Sequence, residues 1–231
     1  ATFFKMSPMI VFAGAFATFA VLPFAPWGSD GGILVSDMNM GLLYILAIGS
    51  ISTVGVLLAG WSSNSKWSLY GAVREVAQVI SYEIPLTIAA LVPVIAFGTL
   101  SLVEICHISR PDVWYDFLAW GMFRSPFGCV ASFIFFIATM ASTNRAPFDL
   151  AEAESELVSG FHTEYSGMRW GMFFMAEYGS MYLLSALWGI LFLGGWSWGP
   201  LDIIVYPILE KVPYGLGLFV WGAAAITAKA L

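Results

Sequence analysis

Three carboxylates stand where an ionisable side chain is expensive to keep: Glu75, Glu83 and Glu177 each lie inside a strongly apolar stretch. Acids held in such surroundings default to moving protons or charge. Burial favours the neutral form of a carboxyl, which suits a group that must gain and lose a proton. A second set of acids lies in the polar connection Ser142–Arg169, STNRAPFDLAEAESELVSGFHTEYSGMR. It carries Asp149, Glu152, Glu154, Glu156 and Glu164, five of the fifteen carboxylates within sixteen residues. Solvated loops carry charge too, so the count alone decides nothing. Its conjunction with acids in apolar segments points to proton or charge transfer.

The elements that must position these groups follow from composition. Of 231 residues, 59% are hydrophobic and 10% charged, against roughly 25% charged in soluble domains. A soluble fold could not hide that much apolar surface, so the expectation is an all-α integral membrane protein forming one membrane domain over 1–231. A bilayer-crossing helix needs about 20 mainly apolar residues. Six stretches qualify: 7–25, 40–60, 69–98, 127–141 with its flanks, 168–194 and 213–231. The start, ATFFKMSPMIVF, reads as leading straight into a span, without a cleavage pattern. The run Pro26-Trp27-Gly28-Ser29-Asp30-Gly31-Gly32 reads as a turn. Trp27, Trp61, Trp67, Trp120, Trp196 and Trp198 fall near span ends, as in an aromatic belt. With six spans, Lys5, Lys66, Arg74, Arg145, Arg169 and Lys229 share one side against Arg110, Arg124 and Lys211 on the other. The positive-inside rule then puts 142–169 on the cytoplasmic or matrix face. Nine Lys and Arg in all exclude a nucleic-acid role. Cys106 and Cys129 match no metal or redox spacing, and two separated histidines offer no haem site. No repeat of fixed period is visible, which counts against an inverted-repeat transporter.

Local patterns refine this. At about 100° per residue, Arg74, Glu75, Gln78, Ser81 and Tyr82 share a helix face, with Glu83 some 80° off it. Pro85 lacks an N–H, so the Ser81 carbonyl is left without its helical donor. Together these describe a hydrated pocket; the alternative is an interfacial Arg74–Glu75 pair with Glu83 bonded to a neighbouring helix. Glu177 lies nine residues after Met168, about 13 Å along a helix and inside the hydrocarbon layer. Tyr178 and Tyr182 are nearby hydroxyls that relay protons or simply pack. In the loop, Asp149 with Glu152 three residues on reads as a capping box opening a short amphipathic helix, LAEAESELVS. Glu152 and Glu156, at i and i+4, are a like-charge pair that costs stability. His162 is a candidate for titration near neutrality.

Two stretches carry a resemblance. NRAPFDLAEAESELVSGFHTEYSGM with FFMAEY, and GWSSNSKWSLYGAVREVAQVISYEIPL, resemble the two signatures of the quinone-site membrane subunit of respiratory complex I. This is the family of the bacterial H subunit and of mitochondrial NADH dehydrogenase subunit 1. The LGGW after the fifth span fits as well. The resemblance implies a multi-pass subunit in a bacterial plasma membrane or mitochondrial inner membrane, within a proton-pumping NADH:quinone oxidoreductase. It implies partners among peripheral quinone-site subunits and antiporter-like membrane subunits, with quinone as substrate. NADH, FMN and iron–sulfur clusters would belong to those partners, and no cofactor to this chain alone. On that reading Glu83, Glu154, Glu156 and Glu177 form the proton path, with Glu75 and Glu164 as weaker members. Arg145, Phe148, Asp149 and Glu152 border the quinone chamber, and Phe173 and Phe174 line the tunnel, although at helical spacing such aromatics are more often core. Three departures stand out. Many members have Glu where this chain has Ser142, the common Pro after Asp-Leu is Ala151, and the family usually has eight spans rather than six.

The rivals are the homologous subunit of a membrane-bound hydrogenase or of a ferredoxin-type plastoquinone dehydrogenase, a stand-alone proton-coupled transporter, and a structural anchor. The full AESELVSGFHTEYSG run and the AEY at Glu177 favour complex I by resemblance.

Overall fold

The computed structural model describes residues 2–27, 31–109, 120–145, 147–148, 160–196, 224 and 226–228. Seven α-helices account for most of them: α1 (Thr2–Ala17), α2 (Gly41–Ser62), α3 (Lys66–Phe97), α4 (Leu102–Ile108), α5 (Gly121–Arg124), α6 (Gly128–Ser142) and α7 (Met168–Phe192). Short 3-10 turns follow α1 (Thr18–Val21) and precede α7 (Gly160–Glu164). The chain is an all-α polytopic membrane protein. One small departure lies where a turn is expected: Ala25–Trp27 (β1) and Gly31–Ile33 (β2) pair antiparallel, Ala25 against Ile33.

Thr2–Val21, Gly41–Ser62 and Lys66–Phe97 are long and apolar enough to cross a bilayer. α7, with 25 residues, is about 37 Å long, and the 15-residue α6 about 22 Å, short of a hydrocarbon core of about 30 Å on its own. The sixth expected span, 213–231, lies largely outside the described residues. α3 shows why lipid is the solvent. Val73, Ile80, Ile84, Ile88, Leu91 and Ile95 recur at three-, four- and seven-residue spacing and are all exposed. Such a continuous apolar stripe in water would be an aggregation surface, whereas against acyl chains it is neutral.

The chain divides into two compact units. The first comprises Ala1–Thr18, Ile45–Thr87 and Ile137–Met181. Its core joins Val11, Ala15, Val56, Ala59, Ala72, Phe161, Tyr165, Phe173 and Ala176. Small residues let its helices approach closely, as in membrane packing generally. A Cβ on Gly60 would meet the Cβ of Ala72 at 2.3 Å, and one on Gly55 would meet Val11 Cγ2 at 2.5 Å. The second unit comprises Phe19–Tyr44, Ile88–Phe136 and Tyr182–Leu231. There Phe135 and Phe192 pack at 5.7 Å, and Trp188 Nε1 donates to Ser132 Oγ at 3.0 Å. Trp196 departs from the belt expected of it. It is buried, with Nε1 donating to the carbonyl of Pro23, because its indole N–H finds an internal acceptor. Trp61 and Trp67 are exposed, as a belt requires.

Candidate functional site

The site lies in the first unit and is organised by the polar half of α3. Ser68, Gly71, Glu75, Gln78 and Tyr82 recur at 3, 4, 3 and 4 residues, one stripe of a helix. Ser68, Gly71 and Glu75 are buried and Gln78 and Tyr82 half-buried. The stripe is centred about 90° round from Arg74 and Ser81, which sequence spacing groups with it. Ser81 is exposed and folds its hydroxyl back onto the carbonyl of Ala77, while the Arg74 guanidinium lies over the Tyr70 ring. Glu75 is only 8% exposed, an acid inside the packed face.

Both ends of the polar connection rest on this stripe. At its start, α6 closes in a left-handed turn: Asn144 has φ 49°, a conformation asparagine tolerates better than most residues, and the Arg145 N–H bonds the Met140 carbonyl. That six-to-one bond is the Schellman closure of a helix C-terminus. Gln78 Nε2 reaches the carbonyls of Ala141 and Phe148, each at 2.8 Å, and Asn144 Oδ1 at 3.0 Å. The Phe148 ring meets Tyr82 edge-on at 5.5 Å. At the other end, Ser68 Oγ donates to the Phe161 carbonyl, and Gly71 faces the backbone of Gly160 so closely that a Cβ would come within 2.8 Å of its Cα. Tyr165 is buried; its hydroxyl shares a 2.9 Å hydrogen bond with Ser7, and its ring stacks on Phe4 at 4.2 Å. The nearest points of the two feet, Gly71 and Gln78, therefore stand about 10 Å apart along α3.

The turn after α6 delivers Arg145 to α7. Its Nη2 lies 3.5 Å from Glu177 Oε1, and its guanidinium sits over the Tyr178 ring at 4.8 Å from the centroid. An acid from the apolar interior is thus paired with a cation from the polar connection. Glu83 has a different partner: on the flank of α3 turned toward α2, its Oε2 accepts from Ser50 Oγ at 3.3 Å. Counted from the ends of their helices, Glu83 lies 14 residues before Phe97 and Glu177 lies 15 before Phe192. Both are about 21–22 Å from those ends. α3 continues through Pro85 without interruption.

The remaining expected site residues are placed as follows. Phe148 is half-buried against Tyr82, and Glu164 is exposed on the 3-10 turn. Phe173 is buried among Phe161, His162 and Tyr165, all met edge-on, the packing of a core aromatic. Phe174 is exposed between Trp170 and Tyr178. His162 lies against the Phe161 ring, centroids 3.8 Å apart. Asp149, Glu152, Glu154 and Glu156, with the expected capping box and amphipathic helix, lie outside the described residues. Ser50, Asn144, Ser7 and Tyr165 carry contacts at or beside the site that no motif singles out. Among the described residues, no group of three or more His, Cys, Asp or Glu is placed to hold a metal ion.

Comparison with known proteins gives the chain a family. The family model described as NADH dehydrogenase matches residues 1–229. The chain is 48% identical over 227 residues to the H subunit of the NADH-quinone oxidoreductase of Chlorobaculum tepidum, covering 98% of this chain and 60% of that protein. Against the corresponding H subunit of Chlorobium luteolum it is 47% identical over 226 residues, 98% of this chain and 58% of the relative. Against that of Rhodospirillum centenum it is 42% identical over 229 residues, 96% and 64%. The chain spans roughly three-fifths of the length of these curated relatives.

Proposed function

The chain belongs to the NADH dehydrogenase family, and from that membership we propose that it is a multi-pass membrane subunit of a proton-pumping NADH:quinone oxidoreductase. Its residues form part of the quinone site and couple quinone reduction to proton translocation. The observation that carries this reading is the contact of Arg145 with Glu177, at 3.5 Å. It ties a charge at the polar connection, where quinone chemistry would change the local field, to an acid within the apolar part of α7. A carboxylate paired with a cation is held ionised by that partner. Drawing the cation away removes that influence, and a carboxylate without it takes up a proton more readily. Arg145 is therefore the element that converts a change of charge at the quinone site into a protonation change at Glu177. Glu83, held by the Ser50 hydroxyl, is the next acid of the path. By family resemblance Glu154 and Glu156 belong to the same path, with Glu75 and Glu164 as weaker members. Arg145, Phe148, Asp149 and Glu152 are assigned to the quinone chamber on the same ground, with the exposed ring of Phe174 as a tunnel-lining candidate; Phe173 packs in the core. Strongly interacting acids titrate as a set, so no one residue owns a single pKa.

The redox cofactors, FMN and iron–sulfur clusters, belong to partner subunits that oxidise NADH, and antiporter-like membrane subunits receive the electrostatic shift. Purification from the native membrane tests this. The chain is expected to come out with peripheral and membrane subunits of one oxidoreductase, and to be inert when isolated in liposomes. Proton-coupled transport by the isolated chain would replace this reading with that of a transporter.

A further inference from the structure

We infer that Gln78 is a positioning residue for the Arg145–Glu177 pair, its carboxamide N–H groups fixing the turn from which Arg145 projects. The inference rests on the role given to that pair above. The three atoms that Gln78 Nε2 faces are all oxygens: the carbonyls of Ala141 and Phe148 and the side-chain Oδ1 of Asn144. Only the nitrogen end of the amide can face two carbonyls without repulsion, so the orientation of the carboxamide is set by chemistry. Two hydrogens serve three acceptors, and one bond is shared.

The acceptors bracket Arg145 on both sides. Ala141 contributes one of the last carbonyls of α6, which the helix itself cannot satisfy. Asn144 is the left-handed residue that turns the chain just before Arg145. Phe148 closes the segment behind it, its own N–H bonding the Arg145 carbonyl at 2.7 Å. Gln78 thus links the start, bend and end of a single turn to the rigid body of α3. A side chain as long as arginine amplifies any backbone rotation at its root, and a contact with Glu177 already at 3.5 Å tolerates little of it. An apolar residue at 78 would fill the same volume and leave the bend without its donors.

The test uses the full-length protein in its native complex, with quinone-reduction kcat read per assembled complex. Gln78→Met keeps length and volume but removes the donors; Gln78→Glu places an oxygen where the nitrogen stands; Gln78→Asn keeps the amide but shortens its reach. The expected result for Gln78→Met is a loss of about tenfold in kcat, with Gln78→Glu at least as impaired. In the Arg145→Met background, Gln78→Met is expected to add no further loss, because the residue acts through Arg145. Should Gln78→Met fail to assemble, Gln78→Asn gives the same comparison. Losses that multiply in the double variant, or a Gln78→Met complex with full kcat beside an impaired Arg145→Met, would overturn the inference while leaving the pair's role intact. An unimpaired Arg145→Met would remove the pair's role and this inference with it.

Discussion

If Arg145 and Glu177 act as one unit, replacing both should hurt much less than the two single losses combined. The perturbations are Arg145→Met and Glu177→Gln, alone and together. At 3.5 Å and an effective dielectric of about 20, the gross Coulomb attraction is about 5 kcal/mol. The net figure is smaller for two structural reasons. At 3.5 Å the contact is long for a charge-assisted hydrogen bond, and the two side chains remain 37% and 26% exposed, so solvent screens part of it. A pair between the exposed and buried extremes leaves a coupling of about 1–2 kcal/mol, or about 5- to 30-fold in rate. The Tyr178 ring beneath the guanidinium holds Arg145 by about 0.5–1 kcal/mol even when Glu177 is neutral. Arg145 therefore stays docked in Glu177→Gln, whereas Arg145→Met takes the cation from beside Glu177. NADH:quinone turnover per assembled complex, measured for wild type, both single variants and the double, closes the cycle. Single losses that simply multiply would refute the coupling and with it the physical link between the polar connection and α7.

Other consequences concern the framework. Ser50→Ala removes the hydroxyl that Glu83 accepts from, about 1 kcal/mol; proton translocation should fall severalfold while the amount of assembled complex stays constant. Gly71→Ala drives a Cβ to 2.8 Å from Gly160 Cα. Because the obstacle is backbone, the cost is about 1–3 kcal/mol, seen as a lower thermal midpoint of the purified complex. Tyr165→Phe loses the bond to Ser7 at about 1 kcal/mol and should lower the same midpoint without changing turnover, since it holds the loop's far foot rather than Arg145.

Hydropathy made α2, α3, α6 and α7 legible in the sequence to within a few residues, because apolar length is a property of each segment alone; α1 begins five residues before the expected 7–25 and its α-helix ends eight before that range does. The β1–β2 pairing was not. Pro26, Gly31 and Gly32 signal a turn, and three-residue strands leave no alternation to read. The acids in apolar stretches stood out by their energetic cost, and Glu83 and Glu177 do find polar partners. Which partners they find was not legible: Arg145 and Glu177 are 32 residues apart in sequence and Ser50 and Glu83 33, and periodicity gives a face but not its neighbour. Gln78 could be read as part of a polar stripe. Its acceptors are two backbone carbonyls and one amide oxygen, and carbonyls carry no residue signature. Phe173 had two readings on spacing, and its edge-on contacts with Phe161 and Tyr165 put it in the core.

The central claim is that carboxylates at depth carry the coupling between quinone chemistry and protons. Sealed vesicles bearing the complex with Glu83→Gln and Glu177→Gln together measure it directly, through protons translocated per quinone reduced. This ratio should fall well below that of the wild type, with assembly unchanged. An unaltered ratio at an unaltered turnover would contradict it.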